Sequence, residues 1–94
     1  MSGKSCVKIN VIGHVQGVGF RDFAKKQAQS FQVEGLIQNL DDNKVSISAC
    51  GLSDALDKFI EQIYKGPKKS SVQNVEVEPI SSHKDFRGVF RIIE

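Results

Sequence analysis

No apolar run in this chain approaches the roughly 20 residues that a membrane-spanning helix needs. The first ten residues, MSGKSCVKIN, lack the apolar centre of a secretory signal. These two absences predict a cytoplasmic protein with no membrane partner. Excess charge is also scarce. The formal net charge of +2 is too small to point to nucleic acid. There are only two cysteines, Cys6 and Cys50, and two histidines. They match no metal-ligand spacing and are too few for a structural zinc site or an iron–sulfur cluster. No metal and no cofactor is expected. Repeats and low-complexity linkers are missing, so residues 1–94 read as one domain, taken to be a monomer. A chain this short buries about 60–65% of its unfolded surface in one modest core.

What is present is patterned. Val7, Ile9 and Val11 alternate with Cys6, Lys8 and Asn10, which predicts a half-buried strand over residues 5–14. Residues 15–20 form a loop. From Arg21 to about Phe31 the apolar positions have helical spacing, with Phe20 and Phe23 assigned to the core. Gly35 restarts the chain as a short strand, Leu36 to Asn39. Asp41, Asp42 and Asn43 make a turn in which Asn43 can take a left-handed conformation. Val45, Ile47 and Ala49 alternate through a third strand closed by Gly51. Ser53 reads as the N-cap of a second helix with the stripe Leu56, Phe59, Ile60, Ile63 and Tyr64, stopped by Gly66 and Pro67. Lys65, Lys68 and Lys69 around that stop read as a solvated helix end. Val72 to Ile80 and Val89 to Ile93 complete the set as strands.

The order is β-α-β-β-α-β with a short C-terminal strand. That predicts an α+β, ferredoxin-like sandwich: an antiparallel sheet with two helices on one face. In this arrangement the first two strands are parallel, and the third lies between them. Two consequences follow. Arg21, after strand 1, comes near Asn39, at the end of strand 2. Cys6, beginning strand 1, lies opposite Cys50, ending strand 3. The two thiols are thus expected within bridging distance, although reduced thiols are the default in the cytoplasm.

The stretch Gly13 to Arg21, GHVQGVGFR, carries the chemistry. A strand, a glycine-bearing loop and a helix start make an anion cradle, because glycine brings backbone N–H groups close to a ligand. Arginine adds a planar fork of donors matched to phosphate or carboxylate. The stretch is neither GxxxxGK[ST] nor GxGxxG. On composition alone it is equally readable as a plain glycine-rich connection.

This block resembles the signature of the acylphosphatase family, G-x-V-Q-G-V-x-F-R. A second family block, G-W-V-R-N, is matched in part: Gly35 and Asn39 are present, with Leu36 and Gln38 in place of tryptophan and arginine. The likeness continues through Ala49-Cys50-Gly51, Gly66-Pro67 and Phe90-Arg91-Ile92. The resemblance implies hydrolysis of a small-molecule acyl phosphate to a carboxylate and phosphate, with no metal. It assigns phosphate binding to Arg21 and to the backbone of Val15, Gln16, Gly17, Val18, Gly19 and Phe20, where phosphate or sulfate would sit. It assigns Asn39 to orienting the attacking water. The residue types suit the chemistry. A carboxylate leaving group needs no protonation, so positioning and charge stabilisation suffice.

Other features take plainer readings. His14 reads as an exposed residue at a variable position of the motif, and His83 as solvated in a polar loop. Asp22 favours the helix N-terminus. Two competing functions remain in view. One is an accessory module within a larger carbamoyl-transferring protein, which a stand-alone chain with both Arg21 and Asn39 disfavours. The other is RNA binding through the same topology. The outward faces of strands 1 and 3 carry Lys8, Asn10, Ser46 and Ser48, with no aromatic for bases to stack on.

Overall fold

The computed structural model describes residues 3–41, 43–80 and 86–94. Asp42 of the expected turn and His83 lie outside the described residues. The elements run β1 (Lys4–His14), α1 (Phe20–Ser30), β2 (Glu34–Leu40), β3 (Lys44–Leu52), α2 (Ser53–Lys65), β4 (Ser71–Pro79) and β5 (Phe90–Ile93). The sheet order is β4-β1-β3-β2-β5. β3 runs antiparallel to both β1 and β2, and β5 joins the far edge parallel to β2. The expected α+β, ferredoxin-like sandwich is the fold.

The alternation sets the layers. Ile9, Val11, Ile37, Val45, Ile47 and Ala49 are buried, and they pack with Phe20, Ala24 and Ala28 of α1 and Leu56, Phe59 and Ile63 of α2. The opposite face pairs Lys8 with Ser48 and Asn10 with Ser46. The face that base stacking would require is therefore polar, as the sequence indicates.

Three local expectations change. Ser53 does not cap α2. β3 runs straight into the helix, so Leu52, in extended backbone, takes the capping position, with no side-chain capping bond. Tyr64 lies at the edge of the apolar stripe and is 53% exposed. Phe23 is half-buried against Phe20, their ring centroids 6.1 Å apart, and lies outside the core cluster. Three residues after Phe20 and one before Ala24, it lies about 60–100° around the helix from the buried Phe20–Ala24–Ala28 line.

Cys6 and Cys50 face each other in the register and are joined by a disulfide. The bridge lies at the end of β1 and β3 remote from residues 13–21. It closes a sequence separation of 44 residues, for which loop-closure entropy gives about 4 kcal/mol as an upper figure. A Cys6→Ser/Cys50→Ser variant is expected to unfold at lower denaturant concentration while retaining its catalytic constants. Unchanged unfolding midpoints under oxidising conditions would show that the bridge contributes nothing.

At this same end of the sheet Glu34, the register partner of Cys50, is buried and is held by Lys4 and by the backbone N–H of Gly88, 2.7 Å from Oε2. Gly35 N–H donates to the Val89 carbonyl at 2.9 Å. These contacts seat the approach to β5, and so fix where that strand delivers its last residues.

Candidate active site

β1 shifts its register against β4 between Ile12 and Gly13. Gly13 lies so close to β4 that an added Cβ would come within 2.2 Å of the Ser71 carbonyl oxygen. No other residue fits there. The chain then turns through residues 15–19, and Gly19 enters α1 at φ 78°, a left-handed cap that a side chain would strain.

Val15 is buried, and its N–H donates to the Gly13 carbonyl at 3.0 Å. Of the N–H groups in the expected cradle, Val15 to Phe20, that of Val15 is thus already engaged. The Val15 side chain lines the hollow while its amide is turned elsewhere. From Gln16 to Asp22 no backbone N–H has a partner among the described residues, and the first intrahelical bond runs from Phe23 N–H to the Gly19 carbonyl at 3.0 Å. Such orphan donors at a helix start, backed by the helix dipole, are what an anion binds.

The hollow above them has a volume of about 230 Å³. Val15, Gly17, Gly19, Phe20, Arg21 and Asp22 line it from the loop and α1, Asn39 from β2, and Ile92 and Glu94 from the C-terminal strand and its end. Arg21 and Asn39 thus meet in one cavity, as the topology requires. The cavity is below the range of drug-sized ligand sites, which suits a small substrate.

Two features were not legible in the motif. Arg21 Nη1 donates to the Ile93 carbonyl at 3.4 Å and lies 3.6 Å from Glu94 Oε1. The sequence shows β5 but not its neighbour. Placing it parallel to β2 brings the end of the chain to the Asn39 edge. Gln16 is the second. It was expected to contribute only backbone, but its side-chain amide donates to the carbonyls of Leu40, at 2.5 Å, and Lys44, at 2.9 Å. These two residues face each other at the base of the β2–β3 hairpin. Gly13 N–H adds a bond to the Asn43 carbonyl at 3.1 Å, with Asn43 left-handed at φ 59°. The glycine-bearing loop is thereby tied to the hairpin that carries Asn39.

Gln16→Met keeps the length of the side chain and removes both donors. Its acceptors face solvent, so the stability loss is expected to stay within about 1.5 kcal/mol. Hydrolysis of an acyl phosphate, the activity that the resemblance implies, is expected to fall at least about tenfold, because an ångström of misplacement between loop and Asn39 suffices. Wild-type kcat in this variant would show that the tie is dispensable.

The acylphosphatase family profile matches residues 7–92. The chain belongs to the acylphosphatase family. An acylphosphatase of Thermotoga maritima is 44% identical over 82 residues, spanning 85% of this chain and 91% of that protein. The crystal structure of the Bacillus subtilis acylphosphatase superposes with a TM-score of 0.90 at 35% identity, covering 95% of this chain and 98% of the other. The same fold also occurs inside a larger protein. Full-length HypF, solved in a phosphate- and nucleotide-bound form, matches all of this chain with 12% of its own length, at 27% identity and a TM-score of 0.90. As an acylphosphatase the chain is a hydrolase of acyl phosphates. No helix among the described residues is long and apolar enough to cross a membrane.

Proposed function

We propose that this acylphosphatase, acting as a single domain, hydrolyses its substrate by direct attack of water on phosphorus, without a metal. The N–H groups of Gln16 to Phe20 and the Arg21 guanidinium take the non-bridging phosphoryl oxygens. Asn39, on the wall formed by β2, holds the water. Its amide has both donor and acceptor atoms, so it can orient water without acting as a strong base. The described residues offer no His, Cys or acidic cluster of three at the hollow. A phosphoryl oxygen of the substrate takes the proton from the water, and the acyl carboxylate leaves unprotonated.

One observation carries this reading: Arg21 and Asn39, from separate elements, line the same small cavity as a run of uncommitted backbone N–H groups. The test is hydrolysis of acetyl phosphate in excess EDTA. Full activity is expected, with competitive inhibition by inorganic phosphate. Loss of activity on chelation, restored by a divalent ion, would overturn the metal-free mechanism. The expected setting is the cytoplasm, with the protein working as a monomer.

A further inference from the structure

Glu34 is the one buried charged residue among the described residues, 5% exposed, and the hydrolytic mechanism gives it no task. Taking a carboxylate out of water is costly, and pairing it rarely returns more than a well-packed apolar side chain would. What Glu34 supplies that an apolar residue cannot is an acceptor at a fixed place.

That acceptor holds a turn. Val89 N–H donates back to the Phe86 carbonyl at 3.1 Å, and Arg87 and Gly88 between them are both left-handed, at φ 56° and 73°. A residue with a side chain is disfavoured in that conformation, so the turn needs holding from outside. Two neighbours on β2 hold it with opposite polarity. The Glu34 carboxylate accepts from Gly88 N–H, and Gly35 N–H donates to the Val89 carbonyl. β5 starts at the next residue. It has four residues and pairs with β2 alone. Burial of Phe90 against Phe59 sets which face of β5 looks inward. The grip on Gly88 and Val89 sets how far along β2 the strand lies. At its far end the Ile93 carbonyl accepts from Arg21 Nη1 at 3.4 Å. A slide of β5 along β2 therefore moves the group against which Arg21 is oriented.

Resting on the mechanism above, we propose that Glu34 is a positioning residue for Arg21, acting through β5 from the opposite end of the sheet. Five residues of β2, about 16 Å, separate it from Asn39. Displacing a group that binds the phosphoryl oxygens by a fraction of an ångström costs rate even when the fold is intact.

The experiment measures kcat/KM for acetyl phosphate and inhibition by inorganic phosphate in folded enzyme, with slow variants assayed at high enzyme concentration. Glu34→Met keeps the length and removes the acceptor. It is expected to lower kcat/KM about five- to tenfold and to weaken phosphate inhibition by a similar factor. Glu34→Gln retains an oxygen for Gly88 N–H and is expected to stay within about twofold of the wild type. Two double variants separate positioning from general loosening. In Arg21→Ala, adding Glu34→Met should change kcat/KM by less than about twofold, because the group it positions is gone. In Asn39→Ala the full five- to tenfold loss should persist, although Asn39 shares β2 with Glu34. Should Glu34→Met fail to fold, Glu34→Asp, which keeps the charge and shortens the reach to Gly88, gives the same comparisons. Wild-type kinetics in Glu34→Met, equal damage from Glu34→Gln, or the same loss in the Arg21→Ala background overturns the proposal. An Arg21→Ala enzyme as active as the wild type would instead strike at the mechanism on which it rests.

Discussion

Arg21→Ala is expected to lower kcat/KM for acetyl phosphate by about three orders of magnitude or more, and to abolish inhibition by inorganic phosphate. Loss of one preorganised donor to a developing oxyanion costs about 10²–10³ in rate, and an arginine on a transferring phosphoryl group reaches 10³–10⁵. Arg21 is the cation of the cavity, so nothing in the lining replaces it. The fold should barely notice. Its contacts with Ile93 and the exposed Glu94 are long and face solvent, and such pairs are worth little. Thermal unfolding and circular dichroism are therefore expected to match the wild type. Lysine at this position restores charge but not the two-pronged fork, so Arg21→Lys should recover only part of the rate. A wild-type kcat/KM in Arg21→Ala would remove the residue from the site.

Asn39→Ala should give a different signature. The rate constant kcat is expected to fall about 10²–10³-fold while inorganic phosphate still binds, because Asn39 is assigned to water rather than to the phosphoryl oxygens. Asn39→Asp adds a contrast. A carboxylate can still accept from water, but it loses the amide donor and places a negative charge beside the phosphoryl group. Phosphate inhibition should therefore weaken in Asn39→Asp and persist in Asn39→Ala. Both variants should fold, since Asn39 is exposed at the end of β2 while Ile37 anchors that strand in the core. Steady-state kinetics with phosphate as inhibitor reads both. Equal loss of kcat and of phosphate binding in Asn39→Ala would contradict its role as the water-holding group.

The convergence of Arg21 and Asn39 was legible because it follows from strand order, and strand order follows from patterns of period two and near four. The same logic placed Cys6 against Cys50: parity and antiparallel pairing suffice to set that register. The misreadings are local and have local causes. Ser53 carries good capping chemistry, but β3 continues to Leu52 and leaves no turn in which a hydroxyl could cap. Tyr64 satisfies helical spacing, yet an amphipathic stripe has an edge, and spacing does not say where the sheet ends beneath it. Val15 belongs to the motif, but a motif does not show which way an amide points. The role of Gln16 was hidden for a further reason. A side chain that ties two loops together leaves no periodic trace, and its partners are backbone carbonyls, which every residue possesses.

Strand β1, paired on both sides, also governs how this protein reaches its native state. β1 pairs on both sides with segments late in the chain: Ile9 stands beside Ile47 and Val77, and Val11 beside Val45 and Val75. Neither partner is its neighbour in sequence, and one lies more than half the chain away. Closing such long loops costs entropy before the pairing rewards it. Folding is thus governed by a search for distant strands, with times of milliseconds to seconds expected instead of the microseconds of helical bundles. The phosphate loop hangs from the end of that same strand, so catalytic competence arrives only with the completed sheet. Recovery of hydrolysis after denaturant is diluted would serve as a clock for the last step of folding.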